Sequence, residues 1–134
     1  MPIEVGLVHE INMTVEESDT ARASGGESLP PVFSTPRVIA MLERSAHRGI
    51  LPLLPEGQTS VGVVVNVRHL ASTPVGMEVR FRAELLEVDR RRLRFKVEAW
   101  DEQEKIAEGE HERFIIDKAK FEERLAAKIA SMGK

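Results

Sequence analysis

The chain of 134 residues contains no cysteine. Disulfides, a thiolate nucleophile and a cysteine-based zinc site are therefore excluded. No apolar stretch approaches the roughly 18–20 residues that cross a bilayer, so no membrane partner is expected. The opening residues Met1-Pro2-Ile3-Glu4-Val5-Gly6 show neither a basic segment nor a long apolar one, and a cytoplasmic domain is expected. No basic excess is present: 19 Lys and Arg face 22 Asp and Glu, for a net charge of −3. Broad binding to a phosphate backbone needs a positive surface, so a nucleic-acid partner is excluded. Glycine-rich phosphate loops are missing, and Gly25-Gly26 reads only as a turn. Histidines 9, 47, 69 and 111 have no i, i+4 or His-x-His spacing, so no metal site is expected. Any chemistry is left to hydroxyls, carboxylates and imidazoles.

With 42% apolar and 31% charged residues, the chain should fold as one domain over residues 1–134. A short strand is expected over residues 5–15, then a turn-rich surface loop over residues 24–31. A helix is expected over residues 36–51, with Thr35 as N-cap and Pro36 at the first helical position. Val38, Met41, Leu42, Ser45, Ala46 and Gly49 lie at helical spacing, and Ile39, Ala46 and Ile50 widen the stripe. So wide an apolar surface suits a helix gripped by a sheet. Leu51-Pro52-Leu53-Leu54-Pro55 ends it.

The apolar period then changes to two. Val61, Val63, Val65 and Val67 share one face of a strand, with Ser60, Asn66 and Arg68 on the other. Met77, Val79, Phe81, Ala83 and Leu85 alternate in a second strand, while Leu86 and Val88 fall out of phase, which marks a β-bulge. Asp89-Arg90-Arg91 is a hairpin turn into the strand of Leu93, Phe95, Val97 and Ala99. A last strand over residues 105–116 precedes a C-terminal helix with Phe121, Leu125, Ile129 and Met132 on one side. Short connections imply an antiparallel sheet, and one sheet around one long helix is the hot-dog arrangement, an α+β fold. Its open edges favour pairing into a dimer.

Three residues interrupt this pattern in ways that suggest chemistry. Glu43 lies between Ile39 and His47 on an apolar helix stripe, either partly desolvated or reaching outward to solvent. His69 continues the inward phase of Val65 and Val67 at the end of a strand, as a structural histidine or as an acid–base partner for Glu43. Thr35 is explained as a helix cap, or as a nucleophile if His69 or Glu43 serves as its base. Eight residues of helix separate Thr35 from Glu43 by roughly 12 Å, so a shared site needs a bent approach or two subunits. His111 and Arg113 share an inward phase, and Arg113 could neutralise Glu43 or bind a carbonyl oxygen. Arg90, Arg91, Arg92 and Arg94 form a basic cluster best read as a solvated hairpin.

From Leu29 to Ala127 the chain resembles the fluoroacetyl-CoA thioesterase-like branch of the hot-dog thioesterases. The likeness is carried by Val32-Phe33-Ser34-Thr35 leading to Ala40-Met41-Leu42-Glu43, and by Val65-Asn66-Val67-Arg68-His69-Leu70-Ala71-Ser72-Thr73-Pro74-Val75-Gly76. Arg91-Arg92-Leu93 and Glu110-His111-Glu112-Arg113 also correspond. The resemblance implies a catalytic set of Thr35, Glu43 and His69, with Gly62 lining the acyl pocket and Arg113 near it. It implies hydrolysis of an acyl-CoA thioester without metal or organic cofactor. The assembly expected from the open sheet edges is a homodimer that could pair further into a dimer of dimers. The attacking group stays open among Thr35, Glu43 and an activated water. The position corresponding to the family's aromatic lid residue is Leu29, which implies a broader small or short-chain acyl substrate. A hot-dog hydratase would carry Asp-x-Asn-x-x-His, which is absent. The remaining alternative is a non-catalytic acyl-CoA-binding or regulatory module, which would gain little from inward titratable groups.

Overall fold

The computed structural model describes residues 2–133, so Met1 and Lys134, the ends of the expected domain, lie outside the described residues. Five strands, β1 (Val8–Thr14), β2 (Gln58–His69), β3 (Glu78–Asp89), β4 (Arg92–Trp100) and β5 (Lys105–Asp117), form one antiparallel sheet in the order β1-β3-β4-β5-β2. The sheet wraps the helix α2 (Thr35–Ile50), which touches all five strands. The fold is the expected hot-dog arrangement. A short helix α1 (Ala21–Gly25) precedes the turn-rich loop, and α3 (Lys118–Ser131) ends the chain. Neither α2 nor α3, nor any other helix among the described residues, is long and apolar enough to cross a membrane.

The core follows from the two periodicities. Val38, Met41, Leu42, Ala46 and Ile50 of α2 are buried against Phe81, Leu85, Leu93, Phe95 and Val97 of the sheet. Each such side chain contributes about 1.5–3 kcal/mol when fully buried. Phe33, just before α2, packs edge-on to Phe81 with ring centres 6.1 Å apart. By contrast α3 has no buried residue, and Phe121, Leu125, Ile129 and Met132 are all exposed.

Besides an irregularity between Ala99 and Trp100 of β4, two bulges set which side chains of β2 and β3 reach the interior. One falls between Leu85 and Glu87, where the apolar phase of β3 changes as expected. The other, between Gly62 and Val64, corrects the reading of β2. Val63 is the extra residue, so the strand switches faces there. Val65, Val67 and His69 point inward as expected, opposite His111, Gly109 and Ala107. Val61 instead sits outward opposite exposed Phe114, and Ser60 and Gly62 turn inward opposite Ile115 and Arg113.

β2 lies close against β5 at Gly109, where an added Cβ would overlap the Asn66 carbonyl and the Val67 backbone. Gly109→Ala should therefore lower stability by about 1–3 kcal/mol, as overpacking does. Urea unfolding checks this, and an unchanged midpoint would mean that the two strands tolerate a wider spacing.

Candidate active site

At the start of α2 the cap is Ser34, not Thr35: the Ser34 hydroxyl accepts a hydrogen bond from the Arg37 amide at 3.2 Å. Thr35 becomes the first helical residue and Pro36 the second, and the Thr35 hydroxyl is released from backbone duty. It lies 2.7 Å from Nδ1 of His69 at the end of β2. His69 Nε2 is buried and has no hydrogen-bond partner among the described residues. Burial holds the His69 pKa below the ordinary 6.5, against a smaller opposing pull from the Ala71 backbone. A neutral imidazole beside a hydroxyl can take its proton.

The pair opens onto a depression of about 330 Å³ whose lining includes Pro30, Val32, Phe33, Leu70 and Ser72. One wall is the segment between Thr20 and Phe33. Ala21 N–H donates to the Val32 carbonyl at 2.8 Å, and Arg22 spans the segment through bonds to the Pro30 and Leu29 carbonyls. Leu29 lies here, exposed and packed over Gly25. The segment is tied to α2 by Asp19, whose buried carboxylate accepts from Arg37 Nε at 2.9 Å and from the Glu16 amide at 2.8 Å.

Glu43 stands elsewhere, at a second cluster. Its carboxylate lies 3.5 Å from Nη1 of Arg113, over Gly62, where an added Cβ would overlap it. Arg113 is buried, and three of its five donors make hydrogen bonds. Nε donates to the Ser60 hydroxyl at 2.7 Å, Nη2 to the Ser60 carbonyl at 3.0 Å, and Nη1 to His111 Nε2 at 3.1 Å. His111 Nδ1 in turn donates to the Val64 carbonyl at 2.8 Å. That bond and the one from Arg113 fix the His111 tautomer with its proton on Nδ1. Burial lowers the His111 pKa from 6.5; the Val64 carbonyl opposes this and Arg113 reinforces it. The 4.0 Å approach of His111 Nε2 to Glu43 is therefore not an ion pair, because that nitrogen is an acceptor already used by Arg113. Burial also lowers the Arg113 pKa, against the pull of Glu43, but a guanidinium keeps its charge.

The five residues singled out in the sequence thus divide. Thr35 and His69 meet, and Glu43, Gly62 and Arg113 meet. Eight residues of continuous α2 keep Thr35 about 12 Å along the axis from Glu43. Seven residues of β2 carry Gly62 roughly 23 Å along the strand from His69. Sequence reasoning missed Ser34, which displaces Thr35 as the cap, and Ser60, which holds Arg113. An inward arginine has five donors to satisfy, and that requirement was the available signal for Ser60. The basic hairpin is neutralised as a solvated one would be: Arg92 pairs with Glu112, Arg94 with Glu87 and Glu110, and Arg91 with Asp117.

Residues 15–119 match the family described as fluoroacetyl-CoA-specific thioesterase. The fluoroacetyl-CoA thioesterase of Streptantibioticus cattleyicolor is 37% identical over 100 residues, which is 75% of this chain and 72% of that protein. A crystal structure of a fluoroacetyl-CoA thioesterase superposes with a TM-score of 0.90 at 32% identity, covering 96% of this chain and 98% of that one. A mutant of such an enzyme, in complex with fluoroacetate and CoA, gives 0.85 at 34% identity over 89% and 99% of the two chains. A hypothetical protein of Thermus thermophilus, a thioesterase superfamily member, gives 0.87 at 33% identity over 97% and 98%.

The histidines couple the site to stability. His47, His69 and His111 all have pKa values lowered by burial in the folded chain, so the unfolded chain binds more protons around pH 6.5. Stability should be complete above that pH and fall as acidification passes 6.5 and then the lower folded values. Urea unfolding between pH 8 and about 5 measures this. A midpoint that rises on acidification through 6.5 would contradict it.

Proposed function

The chain belongs to the fluoroacetyl-CoA-specific thioesterase family, and we propose that it hydrolyses a small or short-chain acyl-CoA to the free acid and CoA through Thr35, Glu43 and His69. Acyl-CoA thioester hydrolysis itself follows from that membership. The observation that carries the residue assignment is the 2.7 Å approach of the Thr35 hydroxyl to His69 Nδ1. An oxygen nucleophile adds to the thioester carbonyl, the C–S bond breaks, and CoA leaves as a thiolate that takes up a proton. His69 accepts the proton lost by the attacking hydroxyl or water; where the attacking oxygen is that of Thr35 or Glu43, a water then hydrolyses the resulting acyl-enzyme, releasing the free acid and restoring the side chain. Glu43 stands ready as nucleophile or second base, oriented by Arg113. These groups supply the whole reaction, so no metal or organic cofactor is required. Leu29 in the wall segment, where the family resemblance expects an aromatic, favours a range of small acyl groups over fluoroacetyl selectivity. As an enzyme of acyl-CoA esters it is read as acting in the cytoplasm.

The enzyme is read as a homodimer for a geometric reason. β2 is an edge strand, and Val63, Val64 and Val65 on it are 54%, 45% and 41% exposed. Such a strand is a template for pairing. Antiparallel pairing with a second copy about a two-fold axis at Asn66 sets Val65 opposite Val67 and Val64 opposite Arg68, and, with Val63 as the extra residue, Gly62 opposite the second copy's His69. Residues directly opposite on antiparallel strands lie about 4.5–5.5 Å apart and point to the same face. Glu43, lying over Gly62, would then stand beside the Thr35–His69 pair of the other copy. Two clusters too distant to cooperate within one chain would become one site.

Thiol release from a panel of acyl-CoAs should show turnover that favours short chains. Glu43→Ala and His69→Ala should each lower kcat by about 10²-fold or more, as loss of a general base does. Unchanged turnover in both would sink the assignment. Dimers mixed from the two inactive variants should regain activity, since one of the two sites then holds both intact residues. Inactive mixed dimers would place each site within a single chain.

A further inference from the structure

His47 takes no part in the chemistry above, yet its ring reaches the Glu43 cluster from one helical turn away. Its Nδ1 lies 2.7 Å from the Ser60 hydroxyl, the same oxygen that accepts from Arg113 Nε at 2.7 Å. A hydroxyl has one proton, and Arg113 can only donate. Among the described residues His47 Nδ1 is the one acceptor within reach of the Ser60 proton, and the hydrogen bond is assigned in that sense. His47 is accordingly an acceptor at Nδ1. Burial, with the charges of Arg113 and Arg48, keeps the ring neutral by lowering its pKa.

We infer that His47 is a positioning residue for Glu43, acting through the Ser60 hydroxyl and the Arg113 guanidinium. The inference rests on the reading of Glu43 as catalytic. The bonds close a circuit over three elements: His47 on α2 orients Ser60 on β2, Ser60 grips Arg113 on β5, and Arg113 faces Glu43 on α2 again. Ser60 holds the guanidinium by both its hydroxyl and its carbonyl, so the hydroxyl's orientation sets the plane in which Nη1 meets Glu43. Without an acceptor at position 47, the Ser60 proton must turn elsewhere. The lone pair aimed at Arg113 turns with it, and the Arg113–Glu43 approach of 3.5 Å is no longer held. Sub-ångström loosening of a catalytic carboxylate lowers the rate of the chemical step more than the affinity for substrate.

Asparagine at this position offers its side-chain carbonyl oxygen about where Nδ1 stands, whereas leucine offers no acceptor. His47→Leu and Ser60→Ala should each lower kcat about tenfold with KM changed by less than about threefold. His47→Asn should recover most of the kcat that His47→Leu loses, and the double variant Ser60→Ala/His47→Leu should be no worse than Ser60→Ala alone. Thermal unfolding of each variant confirms that the folded protein is being assayed, and Ser60→Ala tests the same link from its other side. Wild-type kcat in His47→Leu, an asparagine variant as slow as the leucine one, or losses that multiply in the double variant would overturn the inference. Glu43→Gln separates the two levels. If it is inactive while His47→Leu keeps full kcat, the positioning role alone fails; if it keeps full activity, the reading of Glu43 fails too.

Discussion

Much of this molecule is arranged around the burial of one arginine. Arg113 is 6% exposed, and a guanidinium cannot shed its charge to suit an apolar interior. It must be met by acceptors, and the local structure is what supplying them requires. His111 has to be neutral with its proton on Nδ1, which the Val64 carbonyl enforces. Ser60 has to face inward, which takes the extra residue in β2 at Val63. Glu43 has to lean over the strand, which takes a glycine at position 62. A buried charge is weak evidence for added stability. Here the same set of bonds brings a carboxylate, a histidine and a serine to defined positions, and that order is its visible product.

How much of this could be read from the sequence depended on whether a feature disturbed the apolar pattern. The wide stripe of α2 and the alternation in β3 and β4 were legible because polar and apolar residues alternate there. Even the bulge near Leu86 showed, since Leu86 and Val88 appear where polar residues were due. The bulge in β2 did not show. Val63, Val64 and Val65 are all valines, so a change of phase leaves no trace in composition, and Ser60 was assigned to the wrong face. Glu43 and His69 stood out as titratable residues among apolar ones. Thr35 was read as the cap that Ser34 supplies, because either is a good cap and only the backbone decides between them.

The polar clusters also differ in how they are held. Glu43 sits over the interior sheet face, set by side chains from β2 and β5 that have almost no freedom. Thr35 and His69 lie at element ends, beside a depression whose wall is a short helix and a turn-rich loop. One half is set by buried side chains of the sheet and the other by the ends of elements beside a turn-rich segment.

Asp19 links that wall to the helix behind it. Its carboxylate holds Arg37, its carbonyl accepts the Ser34 amide at 3.0 Å, and Ser34 caps the turn that begins with Thr35. The wall segment and the Thr35 hydroxyl are therefore parts of one lever with a common pivot. A larger acyl group that pushed the wall outward would draw on the first turn of α2 and shift the hydroxyl against His69. Selection by size would then be felt in the rate of bond breaking as well as in how tightly the substrate is held.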